Sequence, residues 1–161
     1  MCTFNILSVT TFPLLLEKIL EWRQKYNDVI PVVNEREPLE RKIRFDTPYL
    51  KEPLQYDMNI LPLDKYLPYM DATLDFILKN MDDYDVTKFS SLEYEKFRRV
   101  RDYMASTPNN PSYTEERIKE GRADFYNWFT EFDIRRDTNF IRTFPEMRDF
   151  WLMCREVARN D

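Results

Sequence analysis

The side chains able to do chemistry in this chain are carboxylates, arginines, lysines and tyrosines. The sequence has no histidine, so it lacks the commonest general base and the commonest metal ligand. Ser–His and Cys–His nucleophile pairs are excluded with it. Gly121 is the only glycine. Phosphate-cradling loops, dinucleotide fingerprints and nucleophile elbows need glycine where backbone approaches phosphate or turns with positive φ, so none of them can be built here. Two cysteines, Cys2 and Cys154, are too few for a four-thiolate zinc site or a cubane cluster. Nothing supports a disulfide between them, and the chain reads as intracellular.

Charge is densest in FDIRRDTNFIRTFPEMRDFW, 132–151, where Asp133, Arg135, Arg136 and Asp137 fall within five positions between aromatic segments. Arginines suit the negative end of a helix, and Asp137 with Asn139 suits a tight turn, so the cluster reads as a corner between helices. Anion recognition is the functional alternative. The carboxylate pairs Asp82–Asp83 and Asp133–Asp137 have the residue types for acid–base work. No flanking pattern buries them, and a solvated face accounts for them.

The elements that must position these groups follow from patterning. With 43% hydrophobic and 16% aromatic residues in 161 positions, the chain can pack one core, alone or as a piece of a larger protein. A net charge of −5 suits a soluble cytoplasmic protein and argues against nonspecific nucleic-acid binding. No apolar run reaches the roughly 18–20 residues of a membrane span, and FPLLLEKIL is too short and too charged for a secretory signal. Neither nucleic acid nor membrane is therefore an expected partner.

Residues 3–10 read as a strand apolar on both faces, 42–47 as a second strand and 55–60 as a third, half-buried one. A helix over 12–26 joins the first two strands, which predicts a parallel βαβ unit. A loop containing Pro31 and Pro38 leads into the second strand. From Pro62 the period turns helical, over 63–81, 91–105, 113–134 and 144–158. Capping boxes are expected at Ser90–Glu93, Ser112–Glu115 and Thr143–Glu146. The third of these helices should bury Ile118, Phe125, Phe129 and Phe132, with Trp128 beside them. The last should bury Phe150, Trp151 and Cys154, the thiol serving as a small hydrophobe. The expected fold class is thus α/β to α+β, a partial parallel sheet followed by helices.

The phrase 132–151 resembles the tail of radical S-adenosylmethionine proteins with a twitch-type C-terminal extension. Asp133, Arg135, Arg136, Thr138, Asn139, Phe140, Thr143, Phe144, Pro145, Glu146 and Cys154 carry the likeness, with Asp137 where glycine is expected. FDTPYLKEP, 45–53, MNILP, 58–62, and the segment 3–26 resemble the late barrel strands of the same proteins. The resemblance implies that residues 1–62 are the last strands of a partial (β/α)6 barrel and 63–161 a helical extension. It implies a [4Fe–4S] cluster and S-adenosylmethionine in the full-length family protein. This chain lacks the Cys-x3-Cys-x2-Cys motif that holds the cluster. No cofactor is therefore expected for the chain alone, and its partner would be a missing N-terminal barrel segment or a split subunit. On that architecture Asn5, Arg44, Asp46 and Tyr49 would lie at the barrel mouth and touch cofactor or substrate. An edge strand showing one face to water is the commoner explanation for the polar positions Asn5, Arg44 and Asp46, and a rigid turn after the second strand accounts for Tyr49 at least as well. The other reading is a small helical protein–protein interaction module.

Overall fold

In the computed structural model, which describes residues 3–26, 41 and 43–160, the protein is helical. Pro31 and Pro38, like Cys2 and Lys42, lie outside those residues. The principal elements are α1 (Phe12–Lys25), α2 (Leu63–Lys79), α3 (Ser91–Ala105), α4 (Glu115–Arg136), the single turn α5 (Phe140–Thr143) and α6 (Arg148–Asn160).

The expected partial βαβ sheet does not form. Among the described residues there is no strand, only two isolated parallel bridges, Phe4 with Tyr49 and Met81 with Phe89. Residues 3–10 instead contain the 3₁₀ turn Ile6–Ser8, and 55–60 falls in two consecutive 3₁₀ turns, Leu54–Tyr56 and Met58–Ile60. The physical reason is local. The Asn5 carboxamide oxygen accepts from the Leu7 amide at 2.9 Å, and the Asp57 carboxylate accepts from the Asn59 amide at 3.0 Å. Each side chain takes a backbone donor that a sheet ladder would need. Residues 43–50 form no strand and are bridged to the first segment where Phe4 N donates to Pro48 O and Leu50 N to Phe4 O.

The segment 54–61 is the spine of the molecule, buried at every position except Tyr56. α4 packs across it and against α6, while α2 packs on α3. Gly121 lies where α4 crosses the spine. A Cβ built there would stand 2.8 Å from Ile60 Cγ2 and 2.8 Å from Leu54 Cγ, so the crossing requires glycine for close approach. Aromatic rings fill the space around the spine. Phe125 meets Phe150 at 5.0 Å and Phe140 at 5.5 Å, Phe12 stacks on Phe97 at 5.1 Å, and Tyr66 of α2 reaches Phe150 of α6 at 6.1 Å. Such edge and offset contacts add to area burial.

Helix ends follow capping chemistry with two revisions. Ser90 and Glu93 form the expected box at α3. At α4 the cap is Thr114, whose oxygen accepts from Arg117 N, and not Ser112. Thr143 opens no helix: it closes α5 and donates to Asn139 O at 3.0 Å. Asn139 caps α5 by accepting from Arg142 N at 2.8 Å, and Pro145–Met147 forms a 3₁₀ turn before α6.

The 132–151 stretch is a corner. α4 ends at Asp137 in the left-handed region, φ 51°, a conformation that aspartate tolerates better than most residues. The Asp133 carboxylate then accepts from the Thr138 hydroxyl at 2.8 Å and the Phe140 amide at 2.7 Å, turning the chain so that Phe140 enters the core. Arg135 points back along its own helix to Glu131 at 2.6 Å. Its role there is an exposed ion pair.

Candidate functional site

Three polar constellations could support function, and each is built by a different part of the fold. The first is a buried ion pair. Arg23 of α1 and Glu93 of α3 approach to 2.6 Å and are 3% and 4% exposed. Arg23 also donates to the carbonyls of Ile43 and Lys88, while Glu93 accepts from the Ser90 amide. Every charge in this pair is met by protein, which makes it a tie between segments with no free group to offer a ligand.

The second is Asp57, fully buried between the two 3₁₀ turns of the spine. Its carboxylate accepts from Tyr103 of α3 at 3.1 Å, from Tyr113 just before α4, and from the Asn59 amide. The two hydroxyls also hydrogen-bond each other. Burial raises the Asp57 carboxyl above the ordinary carboxylate range, although the three donors and Lys51 oppose it. Burial likewise pushes Tyr113 up to about 12 and raises Tyr103 further. Both phenols are therefore neutral donors at neutral pH. A carboxylate this enclosed cannot reach a substrate, so the cluster pins the spine to α3 and to the head of α4.

The third is an open groove of about 550 Å³ on the outer face of α4. Its wall is Trp128 and Phe132, one helical turn apart, each 39% exposed, with rings 5.3 Å apart and 15° from parallel. Tyr56 of the spine supports Trp128 at 5.5 Å. Gln55 forms the floor, and Asp124, Asn127, Glu131 and Arg135 form the rim. Burial of Phe132 was expected, but the side chain belongs to this wall. The α4 core stripe runs through Gly121, Phe125 and Phe129, and one more turn carries the helix past the spine to the Asp133 corner. Aromatics at 125, 128, 129 and 132 span about 100° of the helix, the ordinary width of a core-facing stripe. Periodicity therefore gave no sequence signal for an outward-facing aromatic pair.

The four residues proposed from resemblance do not meet in one cavity. Arg44 and Asp46 border a cleft of about 430 Å³ with Lys96 and Glu93. There Asp46 pairs with Lys96 at 3.4 Å and Arg44 donates to the Arg41 carbonyl. Asn5 caps the first 3₁₀ turn. Tyr49 lies against Tyr103 at 4.6 Å, with Lys51 over both rings.

An iron–sulfur cluster does not fit the described residues. Cys154 is the one described cysteine, fully buried, and burial pushes its thiol up to about 12, away from the thiolate a cluster needs. Among the described residues no group of three or more Cys, Asp or Glu is placed to hold a metal, and no helix is long and apolar enough to cross a membrane. Comparison with protein-family models, with curated proteins and with solved structures finds nothing that matches this chain.

Proposed function

We propose that the chain is a small helical protein–protein interaction module that docks a partner on the outer face of α4. The observation that carries this reading is the stacked Trp128–Phe132 pair, two large aromatics left 39% exposed on an open groove. Aromatic side chains of this kind are enriched at binding surfaces because they bury much apolar area at little entropic cost. The wall is also stiff, since Trp128 is braced by Tyr56 and by Phe129 at 5.0 Å. A braced anchor loses little freedom on binding. The Arg23–Glu93 pair and the Asp57–Tyr103–Tyr113 cluster are internal ties between segments. The likeness to radical S-adenosylmethionine proteins rests on sequence phrases, and no arrangement of side chains adds to it.

The test is photocrosslinking from a benzoylphenylalanine placed at position 132, with position 84 on the exposed α2–α3 connection as control, followed by titration of the purified crosslinked partner. A partner captured from position 132 alone should bind at least tenfold more weakly to the Trp128→Ala variant, as expected for loss of an anchor worth more than about 1.4 kcal/mol. Equal capture from both positions, or equal affinity for the variant, would count against the proposal.

A further inference from the structure

On the reading of the α4 face as a docking surface, we infer that the partner segment presents an arginine side chain, which lies on the Trp128–Phe132 rings and donates to the Asp124 carboxylate and the Gln55 amide oxygen. Three observations converge on this chemistry. The first is charge. Of the three ionised groups on the rim, Glu131 and Arg135 neutralise each other at 2.6 Å. Asp124 is exposed and has no hydrogen bond or ion pair among the described residues, which leaves the groove with one uncancelled negative charge.

The second is Gln55. It lines the groove, where its carboxamide is open to solvent and has no hydrogen-bond partner among the described residues. An incoming donor would satisfy its oxygen, and a ligand with several N–H groups could serve Gln55 and Asp124 together. The third is the wall. Two near-parallel stacked rings at 5.3 Å bring aromatic surface to the same groove as the carboxylate. A guanidinium is planar, carries five donors in a fixed fork, and stacks flat on aromatic faces; an ammonium can sit over a ring as a compact point charge but has no planar fork. The net charge of −5 on the whole chain favours encounter with a cationic partner as well.

The experiment uses fluorescein-labelled amphipathic peptides of leucine and alanine, identical except for one position that holds arginine, lysine or citrulline. Anisotropy titration reads their affinity for the full chain. Citrulline keeps the shape of arginine and removes its charge. The arginine peptide should bind at least tenfold more tightly than the citrulline peptide, in line with a charge-assisted hydrogen bond. Lysine should fall between them. Asp124→Asn should weaken the arginine peptide about tenfold and leave the citrulline peptide unchanged. Asp124 is exposed, so the variant should fold normally, which circular dichroism checks. Equal affinity for arginine and citrulline, or no binding by any peptide, would overturn the arginine assignment; the docking reading would then stand or fall on the crosslinked partner. Sedimentation as a dimer that dissociates in the Trp128→Ala variant would place a second copy on the wall and overturn the assignment too.

Discussion

Replacing Gly121 by alanine should destabilise the protein, against the usual sign for such a change in a helix. On an open helical face the substitution gains about 0.8–1.0 kcal/mol, because alanine restricts the unfolded chain more than glycine does. At position 121 the new methyl would meet Ile60 Cγ2 and Leu54 Cγ at 2.8 Å each and Leu54 Cδ2 at 3.1 Å. Ile60 is fully buried and β-branched, and Leu54 is 7% exposed, so neither side chain can swing into water. Leu54 Cγ is a branch point, and moving it moves the whole side chain. Overpacking a filled core costs about 1–3 kcal/mol. With two contacts under 3.0 Å, the upper part of that range applies, and the net loss should be about 1–2 kcal/mol. Urea unfolding followed by circular dichroism measures it. In a Leu54→Ala background one of the two shortest contacts is gone, and the cost of Gly121→Ala should shrink. A higher urea midpoint for Gly121→Ala alone would refute the close-approach argument and, with it, the position of the spine under α4.

Other parts of the fold yield equally direct expectations. Arg23→Met strands the buried Glu93 carboxylate and should cost about 3–5 kcal/mol, whereas Arg23→Met combined with Glu93→Gln should cost less than the two single changes added together; strict additivity in urea titrations would contradict a coupled pair. Asn139→Ala should lose about 0.5–2 kcal/mol through the α5 cap, while Thr143→Ala should lose little, because Thr143 caps no helix; thermal unfolding that ranks the two variants the other way would be inconsistent with this corner. Asp57 has a folded pKa raised above its ordinary 3.8, so its contribution to stability is full below that value and is lost as pH rises through the folded value. Asp57→Asn should therefore remove part of the decline in urea midpoint between acid and neutral pH, and parallel pH profiles for wild type and variant would show the assignment to be mistaken.

The helices were legible because their signals are redundant. Apolar spacing of three and four residues, a Ser90–Glu93 box and terminal arginines all placed α3 and α4 to within two residues. The corner was legible for the same reason: Asp133, Asp137 and Asn139 are residues whose side chains replace missing backbone partners. The strands were misread because six-residue runs such as QYDMNI give alternation no length in which to prove itself. There Asp57 and Asn59 carry turn chemistry that outweighs the period-two pattern, and burial at both parities leaves no polar face at all. Gly121 appeared in the sequence only as the lone glycine of a long helix, which marks a close contact but not what makes it. The groove was hidden because Gln55 and Trp128 are distant in sequence and come together only where α4 crosses the spine. Asn5, Arg44, Asp46 and Tyr49 were selected on the geometry of a barrel mouth, and without the sheet that selection rule has no counterpart in the fold.

Hydroxyl-radical footprinting of the crosslinked partner complex, read against the free chain by mass spectrometry, tests the docking face most directly. Trp22 and Tyr84, 42% and 80% exposed and outside the groove, serve as internal standards. The α4 docking face predicts that Trp128 and Phe132 become protected in the complex while Trp22 and Tyr84 oxidise at their free rates. Unchanged oxidation of Trp128 and Phe132, with protection at Trp22 or Tyr84, would place the partner on another face and contradict the account.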